Sequence, residues 1–335
     1  MRHRIVTLGL LLSCVSPCIF AAKFSGFQVE HDTLADLNYG TVINFRFYEV
    51  TIKEKGKDKD KEKQYPLSIK DAADIKVKTT NCEFAFKLAG SALQLGGALT
   101  LAPRPKSLAD SVCTVVFSLE NKDKSYEKSF TFRLNYKGLV RLNYNGKDGQ
   151  SPADKKISER LFNYTEVTGA NGTDGEAGMN IQVNIVKQYS KDKKDSFYLA
   201  KVLDVDNAQL YEYKIVPGRF KSVLIESKGG KGGNGENGPD GVTGSAKTYG
   251  GNGGNGGNGG PGGTIVVNIA KNAFEIGNEI VCVNLGGSGG KGGNGGKGAL
   301  ADPTNLGNRS PNGFPGIQGQ NGPSGPQPVI TITPY

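Results

Sequence analysis

Histidine, cysteine and the carboxylates are the residues that could carry chemistry, and their distribution is thin. Histidine occurs twice, at His3 and His31. His3 lies in a segment expected to be removed, which leaves one imidazole with no nucleophile in a recognisable setting beside it, so a surface or satisfied histidine is expected. Clusters of His and Cys at metal-ligand spacing are excluded by count, so neither a metal nor another cofactor is expected. Asp and Glu total 32, but no spacing singles out an acid–base pair. The glycine runs contain G-x-G-x-x-G matches. A phosphate loop of that kind occurs once, between a strand and an amphipathic helix, whereas these runs repeat and no such helix follows. The inventory points away from an enzyme.

The leader sets the compartment. Arg2, His3 and Arg4 precede an apolar run from Ile5 to Leu12, and Ala21 and Ala22 offer a cleavage site, so residues 1–22 read as an export signal. A second reading is lipoprotein processing at Leu11-Leu12-Ser13-Cys14, with Cys14 as the acylated first residue. Both readings mean export, to the cell surface, the outer membrane or the periplasm. No stretch approaches the roughly 20 apolar residues of a membrane helix, so a lipid anchor or a partner is the expected route to a membrane. Cleavage after Ala22 removes Arg2 and Arg4 and lowers the formal net charge of +9 by two. Much of the remaining positive charge sits in mixed runs, Lys53 to Lys63 and Lys191 to Asp195. Alternating signs suit solvated loops, not a nucleic-acid surface. In an oxidising compartment Cys82 and Cys113, each at the edge of a strand-like run, have the spacing of neighbouring strands and predict a disulfide. Cys282 alternates inward within Ile280-Val281-Cys282-Val283 and is expected to be a buried free thiol.

Residues 23–137 read as an all-β domain. Thr41 to Ile52 alternates apolar and polar residues, and similar runs follow at Ile75 to Val77, Cys82 to Leu88, Cys113 to Leu119 and Ser129 to Tyr136. Short strands with polar connections suggest a β-sandwich, with the charged run at 53–63 as the tip of a hairpin loop. Trp is absent from the chain, so no immunoglobulin-type tryptophan supports that core.

A different pattern covers residues 139–335. Gly, at 49 residues, is about double its usual share. It recurs every third position: Gly229, Gly232 and Gly235; Gly250, Gly253, Gly256 and Gly259; Gly286, Gly289 and Gly292; Gly313, Gly316, Gly319 and Gly322. A period of three matches a left-handed polyproline II-type helix, which has no internal hydrogen bonds. Its backbone must bond to neighbours, and only columns of glycine let backbones approach closely enough. Strands frame these runs in three copies of strand, rod, turn, rod, strand. The strands are Leu139–Tyr144 and Ile181–Val186, Lys221–Ile225 and Thr264–Ile269, then Glu279–Leu285 and Val329–Thr333. A polyglycine II bundle is therefore expected, with runs 250–263 and 286–298 inside and Lys231, Asn234, Asn252, Asn255, Asn258, Ser288, Lys291, Asn294 and Lys297 in solvent-facing rows.

The runs GGNGGNGGNGGPGG and GGSGGKGGNGGKG resemble those of glycine-rich, collagen-like surface proteins of Gram-negative bacteria. The layout over residues 139–335 is similar to the polyglycine II sandwiches of phage tail-tip adhesins and of a springtail antifreeze protein. In the adhesins the loops between glycine rods bind the receptor. The resemblance implies binding positions at the tip Ser245 to Tyr249 and in loops 151–168 and 299–312, with Lys247, Thr248 and Tyr249 as contacts and Arg309 as a cationic neighbour. The expected role is a structural or adhesive surface module whose partner is a glycan or a protein. The other reading is an accessory subunit of an outer-membrane complex that binds a protein partner through the β-domain.

Overall fold

The computed structural model describes residues 23–52, 62–66, 75–88, 95–105, 107–108, 111–121, 124–152, 168–190, 194–243, 248–300 and 309–334. Among these residues the fold is all-β apart from one 3₁₀ helix at Lys271–Glu279.

The N-terminal unit packs two sheets. One has β1 (Lys23–His31), β2 (Val42–Ile52), β6 (Leu95–Leu101) and β5 (Cys82–Leu88) in that order, with β3 (Glu62–Pro66) also on β2. The other is β4 (Ile75–Thr80), β7 (Val112–Asn121) and β8 (Lys124–Arg133). The alternation in β2 puts Ile43, Phe45 and Phe47 inward, each 1% exposed. Phe45, Phe47 and Phe84 meet Phe117 of the facing sheet edge-on at 5.0–5.1 Å, a favourable aromatic geometry that supplies the mass a tryptophan would bring elsewhere.

The expected disulfide is not formed: Cys82 and Cys113 are both thiols. Their strands are not paired neighbours but belong to the two opposed sheets. Each thiol is turned to backbone carbonyls, Cys82 Sγ to Thr80 and Thr114 at 3.3 Å and Cys113 Sγ to Asn81 at 2.9 Å. The Cys113 side chain, as a hydrogen-bond partner, holds the Cys82 thiol below its ordinary value.

The second unit has a three-stranded parallel sheet, β15 (Ile280–Val283), β13 (Phe220–Glu226) and β9 (Gly138–Asn143). Its companion is a five-stranded sheet in the order β12 (Gln209–Ile215), β11 (Ser196–Asp204), β10 (Ile181–Tyr189), β14 (Ile265–Ala270) and β16 (Val329–Thr333). In this sheet β10, β14 and β16 are parallel, while β11 and β12 form an antiparallel extension of β10. Val140, Leu142, Val223, Ile225, Val183, Ile185, Val267 and Ile269 are fully buried. Buried residues of both units form one contiguous cluster. At the junction Tyr144 and Tyr213 share a hydrogen bond of 2.9 Å, and Tyr213 donates to the Pro103 carbonyl at 3.0 Å. The Lys214 amide donates to Tyr39 Oη at 3.3 Å. Burial pushes all three phenols above their ordinary value.

Candidate functional site

Every strand of the parallel sheet runs on into a glycine tract: β9 into tract 1 (145–151), β13 into tract 3 (228–241), β15 into tract 5 (286–298). Tracts also lead into the parallel strands opposite: tract 2 (169–179) into β10, tract 4 (250–263) into β14, tract 6 (313–325) into β16. Their backbone bonds run sideways, at every third residue. Gly229, Gly232, Gly235, Gly238 and Gly241 donate to the carbonyls of Leu285, Ser288, Lys291, Asn294 and Lys297 at 2.8–2.9 Å. Gly250, Gly253, Gly256, Gly259 and Gly262 donate in the same way to Pro311, Phe314, Ile317, Gln320 and Pro323 at 2.8–3.1 Å. Tracts 1, 3 and 5 thus make one row and tracts 2, 4 and 6 another. The rows are antiparallel and cross-bonded: Gly254, Gly257 and Gly260 donate to Glu236, Gly233 and Gly230, each at 2.8 Å. Tracts 3 and 4 each bond to four neighbours, whereas tract 5 ends its row and bonds to three.

The spacing tolerates no side chain at the facing positions. A Cβ on Gly229 would lie 1.8 Å from the Gly260 carbonyl oxygen. The same holds for Gly232, Gly235, Gly250, Gly253, Gly256, Gly259, Gly286, Gly289, Gly292, Gly313, Gly316, Gly319 and Gly322, at 1.9–2.1 Å or less from a neighbouring carbonyl oxygen. Contacts that short do not occur between real atoms, so each of these positions needs its missing Cβ.

The exposed residues between the glycines do more than face solvent. In the first row the Asn145 and Asp148 side chains accept the amides of Lys228 and Lys231 at 2.7 and 2.8 Å. Asn234, Asn237 and Asp240 then accept those of Lys291, Asn294 and Lys297 at 2.7–2.9 Å. In the second row Asn171 and Asp174 serve Asn255 and Asn258, while Asn252, Asn255 and Asn258 serve Phe314, Ile317 and Gln320. A short side-chain oxygen on one tract therefore closes the outward N–H of the next. The recurrence of Asn and Asp at the third place is the sequence signal for this ladder.

At the far end of the tracts the expected contact residues separate. Tyr249 is 64% exposed, whereas Thr248 is 8% exposed and holds the end together. Its hydroxyl accepts Ser310 Oγ at 2.6 Å, and its carbonyl accepts the Ala299 amide at 2.6 Å. Arg309 Nη1 donates to the Gly298 carbonyl at 2.7 Å. Lys247, Cys14, the leader and most of loops 151–168 and 299–312 lie outside the described residues.

His31 packs edge-on to Phe130, Phe132 and Phe45 at 5.1–5.8 Å and bonds through Nδ1 to the Asp32 carbonyl at 2.9 Å. Cys282 is a free, half-buried thiol that burial pushes up to about 11. Among the described residues, no three His, Cys, Asp or Glu side chains group as metal ligands would. Comparison of the chain with protein-family models, curated proteins and solved structures gives no match in any of the three.

Proposed function

We propose that the chain is an exported, non-catalytic surface protein, structural or adhesive in role, whose six tracts form a polyglycine II bundle. The three strand–tract–tract–strand copies act as a rigid beam that carries loops at its far end to a glycan or protein partner. The observation that carries this reading is the lateral hydrogen-bond lattice with carbonyls in van der Waals conflict with any added Cβ. A flexible linker has no use for such closure, because ordering glycine costs more backbone entropy than ordering any other residue. The contiguous core running from the N-terminal sandwich into the two sheets that carry the tracts supports a stiff connection between the anchored end and the tracts. Tyr249, presented beside the tied Thr248–Ser310 pair, is the favoured contact.

Two measurements test the proposal. Amide exchange followed by mass spectrometry is expected to show slow exchange throughout tracts 3 and 4, and fast exchange there would overturn the bundle. Removing residues 245–249, or replacing Tyr249→Ala, is expected to weaken binding to target cells or to a glycan array. Binding that survives both changes would remove the adhesive role and leave only a structural one.

A further inference from the structure

Strand β16 closes the five-stranded sheet, and its outer edge has no partner among the described residues. Its inward residues Ile330 and Ile332 stand in register with Val267 and Ile269, which are fully buried, yet they are themselves 46% and 58% exposed. The core layer therefore reaches the edge and ends there uncovered. The opposite edge strand, β12, carries Glu212 and Lys214, charges of the kind that blunt edge pairing. Between Val329 and Thr333 there is no charge.

We infer that β16 pairs antiparallel with β16 of a second copy of this chain, about a twofold axis through Thr331. The sequence Val-Ile-Thr-Ile-Thr is chemically close to a palindrome about that residue. In this register Ile330 lies opposite Ile332 of the other copy on the core face. Val329 lies opposite its Thr333 on the outer face, and Thr331 meets itself. Both facing pairs are of the β-branched type that stabilises antiparallel ladders. Pro328 and Pro334 bound the segment and limit the ladder to these five residues, since neither has an amide to donate.

The alternative occupant, another glycine tract added beside tract 6, is disfavoured by the ladder's own chemistry. Where tract 4 has Asn252, Asn255 and Asn258 as acceptors for the next tract, tract 6 has Phe314, Ile317 and Gln320. Phe314 and Ile317 offer no acceptor for an incoming amide. Pro315 also stands at an outward position of tract 6 and is exposed. The tract row is thus terminated while the strand row is not.

The contact is short, so association is expected to depend on concentration. Sedimentation velocity of the mature chain over a wide concentration range should show a reversible monomer–dimer equilibrium. Ile332→Lys should weaken it by about tenfold or more by placing a charge in the apolar seam, with the far-UV spectrum and melting temperature unchanged. Thr331→Cys should form an intersubunit disulfide under mild oxidation, because residues on the axis bring their Cα atoms to about 4.5–5.5 Å. Val329→Cys should not, and the parent chain provides the background for its other thiols. A chain that stays monomeric at all concentrations would overturn the inference. So would a dimer that survives Ile332→Lys but is lost in Phe314→Ser, which would place the contact on the face of tract 6.

Discussion

The carboxylate of Glu236 accepts the backbone amide of Ala170 at 3.1 Å. One turn earlier, at Gly233, an added Cβ would collide with the Gln150 carbonyl at 2.1 Å. At 236 no residue of tract 1 follows among the described residues, and the position carries a side chain that is 6% exposed. Glycine is thus used where the backbone of a described neighbouring tract stands. Glu236→Gln should retain the contact, whereas Glu236→Ala should lose it and cost about 0.5–1.5 kcal/mol, because water can still reach the amide of the exposed Ala170. Chemical denaturation of the three chains checks this; equal midpoints would mean that the carboxylate is dispensable.

Placing a methyl inside the lattice should be far more harmful than placing one outside it. Gly257→Ala would set a Cβ 2.0 Å from the Thr173 carbonyl oxygen and is expected to cost about 1–3 kcal/mol or more. Gln318→Ala, at an exposed position of tract 6, should change stability by less than about 0.5 kcal/mol. Paired thermal melts decide the point.

The amide ladder makes a residue-specific prediction. Asn255→Asp keeps an oxygen for the Ile317 amide and should be tolerated, as Asp174 and Asp240 already serve in this way. Asn255→Leu removes that oxygen and should cost about 0.5–1.5 kcal/mol, because water can still reach the exposed amide. Faster exchange of the Ile317 amide in the leucine variant, but not in the aspartate variant, is the expected readout.

Alkaline pH should loosen the junction between the two units. Tyr39, Tyr144 and Tyr213 have folded-state values raised above the ordinary 10.0 by burial. A phenol raised in this way favours the folded state fully below pH 10.0. Above it the unfolded chain releases protons that the folded chain retains, so stability falls as pH rises. The Cys282 thiol adds a smaller loss of the same sign between 9.0 and about 11. Melting temperatures at rising pH test this, and a flat profile above pH 10 would mean that the three phenols are solvated.

Thiol chemistry checks the cysteine assignment. Alkylation of the denatured, unreduced chain should label Cys82, Cys113 and Cys282 alike, since none of the three is in a disulfide. In the native chain Cys82, lowered by its Cys113 neighbour, should react before Cys282, which burial holds up.

Much of this architecture is legible from local pattern. Alternation in Thr41 to Ile52 and in Val329 to Thr333 marks strands because one face of each meets a sheet neighbour or a core. Phase in the glycine runs is equally visible, since a missing Cβ is a local property with a spatial cause. The hairpin of β11 and β12 is harder to see. Tyr198, Leu199 and Ala200 are buried in succession, because β11 is covered on both faces there, and the period of two is lost. The cysteine pairing misleads for another reason. Which sheet a strand joins depends on chain crossings that no spacing between Cys82 and Cys113 encodes. The Asn ladder lies between these cases: the residues stand out by frequency, but each acceptor serves a tract distant in sequence, from 14 to 84 positions away.

The sideways bonding at every third residue also constrains how such a chain can change in length. Losing or gaining one or two residues within a tract would rotate every later side chain into a lane held by a neighbouring carbonyl. A matched triplet added to both arms of a returning pair would leave all later lanes as they were. Tract length can therefore change in fixed steps of three residues while the sideways bonds persist.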